Sequence, residues 1–374
     1  MLKHRSLTSI LVILNLLILM TGTACSDQRI LERTGFIQST SYDLLPNGKI
    51  VYGISVPIAN PDIDTTSLRV FLKTEAASGK SARIELARHT NLLLVSGQLR
   101  ISLFGQNLAK KGLFHYMDSL MRDPTIAEQV KIIIVEGDAN HLLERNFKEY
   151  PRTGKYVDNL IKKESKGQTT PKTTIYSFTR DYYDDGIDPI APIVKEEADS
   201  ITVNGIALFN DDRFVGKVEA ENALIFAFLY GNFKEGELSV ELLNEPKKNT
   251  NIMLSSINSS RKLNVKHEPD GQITVNINSN VYASVLEYNG ERKISNKADK
   301  VHLEQEISEI VTKRAEKIIK KLQQKNADSL GIGTHVRNGM SNSAWKKLNW
   351  KEKYPDITIN CNVKFIIKEQ GFLK

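Results

Sequence analysis

The chain has 374 residues, a formal charge of +7, 40% hydrophobic and 25% charged residues, and two cysteines, Cys25 and Cys361. That length and balance exclude a disordered chain and allow two or three domains with cores of their own. Two cysteines exclude a disulfide-stapled scaffold. With no run of five basic residues and no Arg-rich stretch interleaved with aromatics, the positive charge carries no nucleic-acid signature. It suits a protein lying beside anionic headgroups.

Residues 1–5 give a basic start. Ile10 to Met20 form an apolar run broken only by Asn15, and Thr21-Gly22-Thr23-Ala24 supply small residues. This is the three-part layout of a secretory signal over residues 1–24, and the run is shorter than the roughly 20 residues a spanning helix needs. Removing Lys3 and Arg5, and no acid, would take the charge from +7 to +5. Thr23-Ala24-Cys25 resembles the lipobox of bacterial lipoproteins, with Gly22 where that pattern usually has Leu. The resemblance implies cleavage before Cys25 and lipidation of it, with S-diacylglycerol on the thiol and N-palmitoyl on the new amino terminus. Each buried methylene contributes about 0.8 kcal/mol, and one acyl chain alone anchors only marginally. The alternatives are an uncleaved signal anchor or a cut at another small residue. With Cys25 lipidated, Cys361 has no partner in the chain.

The predicted elements begin soon after Cys25. Ile30 to Tyr42 and Ile50 to Ile58 read as strands joined through Pro46-Asn47-Gly48, where Asn and Gly tolerate positive φ. Leu99 to Phe104 reads as a strand. Residues 106–120 read as one helix, with Leu108, Leu113, Met117 and Leu120 near helical spacing and Arg122-Asp123-Pro124 as its stop. Lys131 to Val135 is a short buried strand, followed by a helix over Ala139 to Leu143. The alternation implies a partly parallel sheet with helical cover. Residues 164–200 are more polar and read as the passage between two halves. Ser200 to Phe209 and Arg213 to Val218 read as a hairpin turning at Asp211-Asp212, and Glu221 to Tyr230 as a buried helix ending at Gly231.

In the last third, Ile273, Val275 and Ile277 alternate with polar residues, as a half-buried strand should. The strongest helix spans about residues 299–325, with Leu303, Ile307, Ile310, Val311, Ala315, Ile318 and Leu322 on one face. Glutamates near its start and lysines near its end match the helix dipole. A final strand alternates Ile357, Ile359, Cys361, Val363, Phe365 and Ile367. The expected fold class is α+β, multi-domain, with mixed sheets under helical cover. The expected divisions are residues 25–198 and 199–374, the latter with a further split near 245–250.

Chemistry-bearing patterns are sparse. None of the seven histidines (4, 89, 115, 141, 267, 302 and 335) stands at metal spacing from another His or Cys, and no His-Glu-x-x-His occurs. No Gly-x-Ser-x-Gly elbow occurs. Gly331-Ile332-Gly333 follows a helix rather than a strand, and Val336 stands where a dinucleotide loop needs its third glycine, so it reads as a turn. Asp181, Asp184, Asp185, Gly186 and Asp188 lack EF-hand spacing and read as a solvated surface loop. Cys361 reads as a small buried hydrophobe on the closing strand. No catalytic residue, cofactor or metal is expected, and no enzymatic activity.

These features meet in one family. Cys25 followed by Asp27-Gln28-Arg29-Ile30 resembles the opening of the Ger(x)C lipoproteins, the C subunits of spore germinant receptors, with Ser26 where that family often has Trp. Leu108-Ala109-Lys110-Lys111-Gly112-Leu113 with Arg122-Asp123, Gly205-Ile206-Ala207-Leu208-Phe209 with Val215-Gly216, and Asp328-x-Leu-Gly-Ile-Gly333 with Trp345, Trp350 and Gly371 are similar to its later segments, in the same order. The resemblance implies a three-domain α+β lipoprotein without known enzymatic activity. It implies an integral-membrane A subunit and a B subunit as partners, a place on the outer face of the spore inner membrane, and a part in the response to nutrient germinants. A solute-binding lipoprotein of an uptake transporter is the alternative, for which two similar α/β lobes would be expected.

Overall fold

The computed structural model describes residues 33–58, 69–167, 169–242, 250–268 and 271–369. The signal segment, Cys25 with residues 27–30, and Gly371 lie outside the described residues. The region expected as one strand from Ile30 is two pieces. β1 (Thr34–Phe36) pairs in parallel with β5 (Leu93–Val95). After a break at Ile37 and Gln38, β2 (Ser39–Leu44) forms the expected hairpin with β3 (Ile50–Pro57). At its turn the Asn47 side-chain oxygen accepts the N–H of Lys49 at 3.0 Å.

β4 (Arg69–Glu75) follows, then α1 (Gly79–Ala87), whose first turn is closed by a Ser78/Ser81 capping box. After β6 (Ile101–Gly105) the expected helix over 106–120 splits into α2 (Gln106–Lys111) and α3 (Phe114–Met121). The break is Gly112, at φ 118°, a conformation closed to other residues in a helix. β7 (Lys131–Glu136) and α4 (Ala139–Glu144) match expectation, and α5 (Thr153–Lys166) covers the same face as α4.

Residues 164–200 correct the reading of a passage. They contain α6 (Ile175–Tyr183), opened by a Thr174/Ser177 capping box, and β8 (Ile190–Glu196), buried from Ile190 to Val194. Pro192 disguised the strand. It sits where the register between β8 and β9 (Ile201–Asn210) shifts, the kind of place where a strand tolerates a missing N–H. With β10 (Arg213–Val218) these strands form an eight-stranded sheet in the order β10-β9-β8-β7-β6-β2-β3-β4. β2, β6, β7 and β8 run parallel, and the outer strands antiparallel. Central strands buried on both faces read as continuous apolar runs. Phe104, Ile132 and Ile134 pack on Leu86, Met117 and Phe178 on one face. Leu103, Ile133 and Val135 pack on Leu142, Val157 and Ile161 on the other. The division expected at 198/199 falls between β8 and β9, which are neighbours in this sheet.

The second sheet is built from β11 (Phe233–Lys234), β12 (Leu238–Leu242), β13 (Thr250–His267), β14 (Ile273–Tyr288) and β15 (Thr358–Glu369). α7 (Ala223–Tyr230) and α8 (Lys297–Gln324) cover it on one face. α8 buries the stripe Leu303, Ile307, Val311, Ala315, Ile318 and Leu322. Among the described residues the two large sheets thus differ in topology and are not two similar lobes.

β15 is an edge strand, and α8 covers its exposed hydrogen-bonding side. Glu304, Ser308 and Thr312, one turn apart, accept the N–H groups of Ile367, Phe365 and Val363 at 2.8, 2.9 and 3.0 Å. An edge finished in this way offers no template to another strand. Cys361 packs half-buried against the core, and burial pushes its thiol up to about 12. It stays a neutral thiol rather than a nucleophile. Replacing Ser308 by Ala leaves the Phe365 N–H unpaired. The expected cost is about 1–3 kcal/mol, read as a lower urea midpoint at unchanged slope; an unchanged midpoint would mean the edge does not depend on α8.

Candidate functional site at the junction of the two sheets

α8 ends in a Schellman turn. Asn326 takes φ 47°, and the N–H groups of Asn326 and Ala327 return to the carbonyls of Gln323 and Leu322 at 3.0 Å each. The chain is thereby turned so that Asp328 points inward, 2% exposed. Its carboxylate accepts the N–H groups of Ile332 (2.9 Å) and Gly333 (2.7 Å), which open α9 (Ile332–Asn338). It also accepts the Trp350 indole N–H at 3.0 Å. Burial is the larger influence and pushes Asp328 up to about 7, against these donors.

The acidic loop expected to be solvated is the opposite wall of this site. Asp188, itself buried, accepts the backbone N–H of Asp328 at 2.8 Å, while its own N–H donates to the Asp328 carbonyl at 3.0 Å. Its other carboxylate oxygen accepts the N–H of Asp211 at 2.8 Å and lies 3.5 Å from Lys351 Nζ. Burial raises the Asp188 pKa, with Lys351 opposing. Arg337 donates to Asp184 at 2.8 and 3.1 Å and to Asp185, and the Trp345 indole N–H donates to Asp185 at 2.8 Å. The Thr334 N–H donates to the Gly186 carbonyl at 3.0 Å. A Cβ on Gly186 would stand 2.6 Å from Thr334 N and 2.8 Å from the Gly333 carbonyl carbon, so only glycine lets the backbones meet.

A third strand of the junction comes from the break after α2. The Leu113 N–H donates to the Asp212 carbonyl at 3.0 Å, and the Phe114 N–H to the Asp212 carboxylate at 2.9 Å. A Cβ on Gly112 would lie 2.6 Å from that carboxylate. Thus the Gly112-Leu113 segment, the β9–β10 turn, the Asp328–Gly333 segment, Trp345 and Trp350 gather in one place. Arg122 and Asp123 do not: Asp123 lies beside α1, 3.5 Å from Arg83. Gly331-Ile332-Gly333 is a turn into a short helix, as expected. Among the described residues no three His, Cys, Asp or Glu side chains converge to hold a metal.

Between the walls runs a cleft of about 520 Å³, with Tyr182, Asp211, Lys346 and Lys351 among its lining. The buried acids are occupied by N–H donors and ion pairs. Chemically the arrangement can clamp, holding two sheets in one register; it presents no nucleophile with a base. Sequence reasoning did not single out Arg337 and Lys351, and it read Asp211 only as part of a turn. The only signal was the density of acid in the 181–188 loop, and the cations that answer it lie some 150 residues away.

The fold and this clamp define a two-part α+β protein with one interlocked junction. Residues 27–196 match the spore germination protein N-terminal domain, and residues 204–371 match the spore germination B3/GerAC-like C-terminal domain. The chain belongs to this family of spore germination proteins. It is similar to spore germination protein GerQC of Bacillus cereus, 25% identical over 359 residues that cover 93% of this chain and 95% of the relative. Its fold is similar to that of the GerBC protein crystal structure, with TM-score 0.55 and 15% identity, covering 90% of this chain and 99% of that one.

A carboxyl with a raised pKa holds a proton in the fold that the unfolded chain has already lost, so stability falls as pH rises between the two values. For Asp328 that window runs from about 4, the unfolded value, to about 7. In Asp328→Asn an amide N–H₂ must face N–H donors, so stability should drop by about 1–3 kcal/mol. The loss of stability between pH 4 and 7 should also flatten. Chemical denaturation of both proteins across that range measures both effects; an equal pH slope in the variant would remove Asp328 as its source.

Proposed function

We propose that this chain is the lipoprotein subunit of a nutrient germinant receptor. On this reading it is held by S-diacylglycerol and N-palmitoyl groups on Cys25 to the outer face of the spore inner membrane and works beside an integral-membrane A subunit and a B subunit. It acts without catalysis, as a scaffold or signalling component required for nutrient-triggered germination. The observation that carries this is the match of both germination domains, in order, across residues 27–371. The name of the relative GerQC, a spore germination protein, agrees with it. The junction supports a non-catalytic role, because its buried acids serve as acceptors for backbone N–H groups. No helix among the described residues is long and apolar enough to cross a membrane; on this reading Cys25 supplies the attachment.

The test uses spores carrying Cys25→Ala or a deletion, followed by loss of refractility and release of dipicolinic acid after nutrient addition. A nutrient-independent trigger serves as control. The expected outcome is that both strains fail with nutrient and respond to the independent trigger. Normal nutrient germination in the deletion strain, with redundant receptors removed, would overturn the reading. Normal germination in Cys25→Ala alone would show that partners, not lipid, hold the subunit in place.

A further inference from the structure

The chain enters the described residues at Arg33 and passes directly into β1, which packs with β5 beside α1. This corner carries two of the most exposed aliphatic side chains described, Ile84 at 62% and Leu93 at 54%. The inward face of α1 is spent on Ala82 and Leu86, both buried. Its outward row, at i, i+4 and i+8, is Lys80, Ile84 and Arg88, all exposed. Beside that row runs a groove of about 730 Å³ lined by Phe36, Ile84, Ala87, Leu92 and Leu93. An aliphatic side chain flanked by cations at the outermost position of a helix, beside an apolar groove, is a pattern found in interfacial contacts.

The charge of the corner has one sign in excess. Glu85 is paired with Arg88 at 2.8 Å, and Asp123 lies 3.5 Å from Arg83. Arg33 and Lys80, both exposed, stand in addition to those pairs. Position along the chain adds a second argument. Arg33 stands eight positions after Cys25, a reach of at most roughly 28 Å even when fully extended.

We propose that this corner, the outer row of α1 with the tip of β5, rests on the surface of an anionic bilayer. Ile84 and Leu93 enter the headgroup boundary, and Arg33 and Lys80 face lipid phosphates. The inference rests on anchoring at Cys25 and adds an orientation to it. A lipid anchor at one point with a second, weaker surface contact holds a fixed face to the membrane.

The test reconstitutes the full lipidated protein into vesicles of phosphatidylglycerol and phosphatidylethanolamine. An environment-sensitive fluorophore is attached at Ile84→Cys, at Leu93→Cys, or at Asn362→Cys on the exposed face of β15. The half-buried Cys361 thiol, with its raised pKa, makes the parent protein the labelling blank. The expected result is a blue shift and quenching by nitroxide lipids at positions 84 and 93 and neither at 362, with the effect weaker in phosphatidylcholine vesicles. Protein that floats with vesicles while both probes stay in water would overturn the proposed surface and leave the anchor standing. Protein that does not float at all would overturn both. A blue shift that needs the A and B subunits would reassign the corner to a protein interface and overturn the lipid contact.

Discussion

Burying a carboxylate without partners costs several kcal/mol, and Asp328 is buried at the point where the two sheets meet. The surrounding structure is arranged to answer that cost. The Schellman turn ending α8 aims the residue, the first N–H groups of α9 and the Trp350 indole donate to it, and Asp188 takes its backbone N–H. Removing the Asp328 carboxylate would take the acceptor from the Ile332, Gly333 and Trp350 N–H groups together. The interaction therefore acts as a register pin: α9, the tryptophan pair and the 184–188 loop can occupy only the positions that satisfy it.

A similar device stands inside the first sheet. Asp43 at the end of β2 accepts the N–H groups of Ala139 (2.9 Å) and Asn140 (2.6 Å) at the start of α4, together with the Asn140 side-chain N–H at 2.6 Å. Burial pushes this carboxyl up to about 7 as well. Each half thus uses one buried aspartate to seat the first turn of a short helix against a sheet. Helices of six and seven residues are too short to be stable alone. A carboxylate that accepts their free N–H groups fixes both their start and their direction.

The two sheets otherwise solve different problems. In the first, parallel central strands are covered on both faces, and antiparallel strands close each side. In the second, β13 and β14 run antiparallel and β15 parallel beside β14, with helices on one face, and α8 finishes the β15 edge with a ladder of side-chain acceptors. The clamp between them joins a loop after α6, the β9–β10 turn and the segment after α8. Movement of one sheet would be felt by the other through backbone hydrogen bonds.

Strong periodic patterns were legible in the sequence: α8 within two residues, the β2–β3 turn, the Ile-rich β7, the β9–β10 hairpin and the alternating β15. So was the family, through short motifs kept in order. The strand β8 was not, because Pro192 argued against a strand and only the bulge beside β9 accommodates it. The split between α2 and α3 was hidden because one glycine breaks a pattern that otherwise continues. The acidic loop was misread for a deeper reason. Local sequence reports a charge but not its partner, and Arg337 and Lys351 come to these aspartates only when the second half folds back on the first. Hydrophobic periodicity, set by neighbours a few residues apart, determined most elements from the sequence alone. The junction was decided by the tertiary structure, because desolvating a carboxylate is tolerable only where donors distant in the chain converge.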